Sequence, residues 1–336
     1  MLSSGLDAVD LERLVSAAVA APSMHNTQPW RYRFRPESTT IEVRAVPQDA
    51  LRVTDPNGRG LHLSVGAAVF NLRLAVRQLG REPVVRLLPR PAEPDVLAAV
   101  RLAGPCKGSD RERSELYDAI PRRHSSRLPF LDRPIPAPVL SELLEAARAE
   151  GATLELPAQA EIHRLLAVTA EAERRNTAEP RRRLESRQAI DTAGEGSRGI
   201  PPAALGPQDA EGHVPVRDFS AIRPTEHTTP VPFEAHPRVA VLSTKNDRPA
   251  DWLRAGQALE AVLLTATVHD LRASLLHQAL EWPDLRWSLR DPAEGPGHVQ
   301  MLVRLGYGPQ GAVTPRTPVA DVLDDGGLDG GQRHPR

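Results

Sequence analysis

The sequence predicts an α+β fold in two related halves, each a mostly antiparallel sheet packed with helices. Two observations predict it. Long helical periodicities at 61–79 and 251–270 each lead into a strand, and then into a second strand ending in Val-Arg-Leu and a Gly-Pro turn. Those endings read Val100-Arg101-Leu102-Ala103-Gly104-Pro105 and Val303-Arg304-Leu305-Gly306-Tyr307-Gly308-Pro309. The chain has 336 residues, 40% of them hydrophobic, which suffices for two domains or one large one.

The elements follow in order. Residues 7–20 form a helix, with Leu11, Leu14, Val15, Ala18 and Val19 at helical spacing, Asp7 as N-cap and Pro22 as the stop. Residues 30–34 and 40–46 alternate like strands around an Arg35-Pro36-Glu37-Ser38 turn. The helix at 61–79 carries a broad apolar face through Val65, Ala68, Val69, Leu72, Ala75 and Val76, with Gly80 at the C-terminal cap position. Strands follow at 84–88 and 96–102. A helix at 138–149 has proline in its first turn and Gly151 after its end. The second long helix leads to strands at 272–278 and 298–305. The halves are therefore 1–120 and 121–322, and the two long helices should meet at a pseudo-twofold interface.

Residues 174–237 are anomalous. They are rich in Arg, Pro, Gly and Glu, a composition typical of disorder. Yet Ile200, Leu205, Val214, Val216, Phe219, Ile222, Val231 and Phe233 are too many apolar residues for a linker. An ordered lid insertion is the expectation. A Gly-Asp-rich tail at 323–336 should fray.

Composition excludes several functions. A net charge of −1 does not favour a nucleic-acid partner. The start of the chain lacks a basic signal-peptide region, and no apolar run reaches membrane-spanning length. The single Cys106 forms no internal disulfide, which suits the cytoplasm. No histidine pair has zinc spacing. His269 and His277 read as surface or satisfied polar residues.

Two clusters carry chemistry. Ala21-Pro22-Ser23-Met24-His25-Asn26-Thr27-Gln28-Pro29-Trp30 is a loop stiffened by two prolines that displays hydroxyl and amide groups. Such groups donate and accept, as the edge of a flavin ring and its ribityl hydroxyls require. A polar turn capped by Asn26 explains the same residues equally well. Arg122-Arg123-His124-Ser125-Ser126-Arg127 concentrates three guanidiniums, which fork onto phosphate oxygens. Taken alone, it reads more readily as a solvated basic loop.

The first cluster resembles the Ser-x-x-Asn-x-Gln-Pro-Trp motif of the FMN-dependent nitroreductase family, and the second resembles that family's basic phosphate motif. The run Arg304 to Gly308, and then Thr314-Pro315-Arg316, resembles its terminal strand and closing basic residue. The order looks most like the internally duplicated Acg-like branch found in actinobacteria. The resemblance implies a fused dimer that keeps one complete FMN site built from both halves. Ser23, Met24, Asn26, Gln28 and Trp30 would lie toward the ring and ribityl chain, with Trp30 open to being core. Arg122, His124, Arg127 and Arg316 would lie toward the phosphate, with Arg123 and Ser125 beside them. No side chain need be catalytic, because flavin N5 carries the hydride. The implied activity is transfer from NAD(P)H to a nitro, quinone or similar small-molecule acceptor. The alternative is an FMN-sequestering protein whose lid blocks turnover. The protein is expected to be a pseudo-symmetric monomer or a homodimer.

Overall fold

The computed structural model describes residues 6–106, 111–191, 196–219, 229–290 and 297–324. The first half runs α1 (Ala8–Val19), β1 (Trp30–Arg35), β2 (Thr40–Ala45), α2 (Arg59–Gln78), β3 (Arg81–Leu87), β4 (Val96–Pro105) and α3 (Arg111–Ala119). Asp7 caps α1 by accepting from the Asp10 amide at 2.7 Å. Gly80 takes the positive φ that ends α2.

The second half runs α4 (Ala137–Ala149), β5 (Thr153–Glu155), α5 (Gln159–Ala178), α6 (Pro180–Gln188), β6 (Arg238–Thr244), α7 (Pro249–Val268), β7 (Arg272–Leu276), α8 (Pro283–Ser288), β8 (His298–Gly306) and α9 (Val319–Val322). Both sheets are four-stranded and antiparallel, ordered β1-β2-β4-β3 and β5-β6-β8-β7. Each therefore follows the same path, with its long helix between the second and third strands. Even a register shift repeats, at Val43/Arg44 in β2 and at Leu242/Ser243 in β6.

The two long helices cross at two glycines. A Cβ on Gly66 would stand 2.2 Å from the Leu253 carbonyl oxygen, and one on Gly256 would stand 2.1 Å from that of Leu63. The absent side chains let the backbones touch. Each sheet closes its own apolar core against the crossing, one around Leu14, Tyr32, Val43 and Leu72, the other around Leu143, Leu165, Leu242 and Val262.

The structure amends two expectations. Residues 174–188 of the anomalous stretch are helical, as the end of α5 and as α6; 196–219 and 229–237 are irregular, with one short 3-10 turn at Pro202–Ala204. Residue 222 of that stretch lies outside the described residues. Two residues of the expected tail are ordered, since the Asp324 amide donates to Tyr32 O at 2.8 Å beside β1; 325–336 lie outside the described residues. Residues 323–324 thus return from the second half to the first. Among the described residues, no helix is long and apolar enough to cross a membrane.

Candidate functional site

A cleft opens between α2, α7, β7 and the α1–β1 loop. Part of its lining is apolar, from Leu63, Ala67, Leu259, Ile200 and Met301. Its polar wall begins in the α1–β1 loop. Three non-glycine residues there, His25, Asn26 and Gln28, hold φ near +50°, a costly conformation that surrounding bonds must enforce. The bonds are present. Ser23 Oγ accepts from the Gln28 amide at 3.0 Å, and Ser64 Oγ accepts from the Met24 amide at 3.2 Å. Asn26 donates to Gly199 O at 2.8 Å and Pro315 O at 3.1 Å, and accepts from Arg316 at 2.9 Å. Gln28 donates to Ser197 O at 2.7 Å and accepts from the Thr317 amide at 2.9 Å.

One end of the cleft is cationic. Arg123 and Arg316 both donate to Ala20 O, each at 3.2 Å, at the C-terminal end of α1 where carbonyls lack helical partners. Two guanidiniums thus meet on one oxygen. Burial pushes Arg316 down to about 9, and neighbouring Arg123 adds to the shift. The basic segment reaches this position because 125–126 run beside β7, with the Ser126 amide donating to Ala273 O at 2.8 Å. The returning C-terminal segment packs on it because Gly311 has no side chain; a Cβ there would meet Ser125 O at 2.3 Å.

At another wall stands Arg127. Burial pushes it down to about 10, with Arg217 contributing. It donates to Ala204 O at 2.6 Å and lies over the Phe219 ring. Among the described residues it meets no carboxylate. Arg59 at the start of α2 is also pushed to about 10 by burial, and donates to Gln300 O at 2.7 Å.

Behind the loop lies a buried network. Arg217 places both terminal nitrogens on Glu281, at 2.8 and 2.9 Å, and meets His25 Nε2 at 2.7 Å. His277 Nδ1 lies 2.6 Å from the same carboxylate. Burial holds both imidazoles below their ordinary range; Arg217 adds to this for His25, while Glu281 opposes it for His277. His25, His277 and Glu281 each offer a ligand atom within 4.8 Å of the others. The Arg217 guanidinium already bonds two of the three, so the protein supplies its own cation there.

Of the residues singled out from sequence, Ser23, Met24, Asn26, Arg123, Ser125, Arg127 and Arg316 line this one cleft. Gln28 is fully buried, and its amide is spent on the Ser197 and Thr317 backbones. Trp30 is fully buried in the first core, as a strand-opening tryptophan often is. Arg122 is exposed, and His124 lines a small adjoining cleft with Arg272 and Gln310. The basic motif therefore splits, because alternate residues of an extended segment point to opposite sides. His25, Arg59, Arg217, Glu260 and Glu281 were not legible. Arg217 and Glu281 are ordinary ion-pair residues until the fold unites positions 64 apart, and nothing local marks them. The three polar residues around His25 were the available hint.

Residues 120–307 match the nitroreductase family. The chain belongs to that family, for a Mycobacterium tuberculosis protein named "Putative NAD(P)H nitroreductase" is 32% identical over 324 residues, 95% of this chain and 92% of its own. A second protein from that organism, "Putative NAD(P)H nitroreductase acg", is 30% identical over 331 residues, 93% of this chain and 95% of its own. Among solved structures, a chain from Anabaena variabilis described as a nitroreductase matches 92% of this chain and 90% of its own, at 12% identity and a TM-score of 0.47.

Proposed function

We propose that this chain is an FMN-binding oxidoreductase that takes electrons from NAD(P)H and passes them to a nitro, quinone or similar acceptor. The observation that carries this is the meeting of Arg123 and Arg316 on Ala20 O, beside a cleft with a partly apolar lining. Two buried guanidiniums on one carbonyl oxygen repel each other, so a dianion arriving from the cleft would be held by both. A phosphate would suit the paired guanidiniums, an aromatic ring system would suit the apolar lining, and Arg127 would offer a further cationic donor from the same lining. Arg123, Arg316 and Ser125 would hold the phosphate; Leu63, Ala67, Leu259 and Met301 would flank the ring. The flavin supplies hydride transfer when bound, and the protein positions it and excludes water. The relatives' names support NAD(P)H as donor.

The repeated strand order supports a fused dimer with one complete site. The first half gives the α1–β1 loop and α2; the second gives the basic motif, α7 and the C-terminal segment.

A second reading is sequestration of FMN. It is favoured by the strap 197–217, which is tied to the α1–β1 loop and the basic motif by Gln28 to Ser197 O, Asn26 to Gly199 O, Arg127 to Ala204 O and His25 to Arg217. Anaerobic stopped-flow mixing of FMN-loaded protein with NADPH separates the two. Prompt bleaching is expected of an oxidoreductase; colour that persists until the strap is deleted would favour sequestration. Protein that takes up no flavin would end both readings.

A further inference from the structure

Glu260 on α7 has no part in the function proposed above. It is fully buried, and among the described residues no hydrogen bond of normal geometry reaches either carboxylate oxygen. A buried carboxylate without hydrogen bonds is costly, so its neighbours decide its state. Arg123 Nε stands 3.5 Å away, and Arg316 also acts on it from the C-terminal segment. From α2 comes Asn71, which is neutral; its Nδ2 donates to Ala17 O at 3.2 Å, while its Oδ1 lacks a donor. Arg73, farther along α2, is taken up by Glu150 of the α4–β5 turn and by Gln257. His124 acts on the same arginines from the adjoining cleft and is held below its ordinary range by burial, Arg123, Arg316 and Arg272. Burial pushes Glu260 up to about 7, against the pull of Arg123, Asn71 and Arg316.

The arrangement is one carboxyl behind two guanidiniums whose other side faces the cleft. While the cleft is free, the carboxylate is the counter-charge of the pair. A phosphate dianion arriving on the same two arginines supplies that charge from the front. Two anions then compete for one pair of cations, and the desolvated one is the easier to neutralise. The protonated acid also brings an O–H into a neighbourhood where Asn71 Oδ1 has no donor.

We infer that Glu260 is the exchangeable counter-charge of the Arg123–Arg316 pair, mostly ionised in mildly alkaline solution while the cleft is free and protonated when a phosphate dianion binds. This rests on the anion-binding reading of the cleft given above. Binding is then coupled to uptake of one proton, and it weakens as rising pH ionises the bound-state acid.

The probe is FMN, added to flavin-free protein and followed by calorimetry at pH 8 in buffers of different ionisation enthalpy. Wild type is expected to take up close to one proton per FMN, and Glu260→Gln close to none. Between pH 7 and 8.5, wild-type affinity should fall by up to about tenfold per pH unit, while Glu260→Gln should stay flat. Riboflavin, which lacks the phosphate, should bind without proton uptake. Infrared difference spectra of wild type need no variant: FMN, but not riboflavin, should raise a deuterium-sensitive band of a protonated carboxylic acid. Equal proton uptake by both proteins, or no such band, overturns the inference while leaving the cofactor reading intact. Failure of wild type to bind FMN at all overturns both.

Discussion

The two sheets share a path but not a fate, and the Val-Arg-Leu ends of β4 and β8 show the difference. Arg101 in β4 is exposed. Arg304, at the same place in β8, is fully buried. It pairs with Glu234 at 2.5 and 2.6 Å, donates to Leu128 O at 3.1 Å and lies over the Phe130 ring at 3.8 Å. In the first half a short turn joins the first two strands. In the second half α5, α6 and residues 189–237 stand between β5 and β6; Glu234 of that connection pairs with Arg304, and Ile200 and Ala204 join the lining of the cleft. The lesson is that two sheets of the same strand order can differ in what is inserted between their strands, and that the candidate cleft draws on elements of both.

This comparison can be broken at its joint or sharpened at its ends. Gly256→Val should do the most damage, because the α2 and α7 backbones must part to admit it. The expected loss is at or above about 3 kcal/mol, the top of the usual range for overpacking, read by denaturant unfolding. Arg304→Ala comes next. It strands the buried Glu234 charge and should cost roughly 3–5 kcal/mol, whereas Arg101→Ala should stay within about 0.5 kcal/mol. Equal effects at the two positions would refute the asymmetry.

Within the basic motif, Arg123→Ala should weaken FMN binding about ten- to a hundredfold, the loss of one charge-assisted bond. Exposed Arg122→Ala should leave the dissociation constant within about twofold, well inside the 1.4 kcal/mol that a tenfold change represents. Fluorescence titration measures both.

The smallest effect expected is on pH dependence. His25 and His277 are held below the ordinary histidine range in the folded protein. The unfolded chain therefore binds their protons first as pH falls below about 6.5. Stability should be full above that value and decline with acid until the folded imidazoles themselves titrate. His277→Asn should flatten the decline in melting temperature between pH 6.5 and 5; an unchanged slope would show that the network around Glu281 does not set it.

Much of the fold was legible. The α1 cap at Asp7, both long helices and six of the eight strands lie within a few residues of their expected places, because their apolar periodicity survives into the core. The second sheet's β5 and β6 were missed. β5 is three residues long. β6 is a continuous buried run without the alternation that marks a half-exposed strand. α5 was hidden because its inward face runs from Ile162 and Leu165 out to Thr169 and Asn176. α6 was hidden because it buries Arg182, paired at 3.0 Å with Glu281, instead of apolar residues. In the site, the motif loop and Arg316 were readable as local patterns. Glu260 was not, since a glutamate on an apolar helix face announces nothing until its arginine neighbours arrive from elsewhere in the chain.

The crossing of Gly66 and Gly256 has a genetic consequence. In a twofold homodimer every substitution is made twice, so the partners must stay complementary to themselves. Here each side of the contact is encoded once. Asn71 on α2 and Glu260 on α7 can therefore be changed independently, with no matching change forced on the opposite helix.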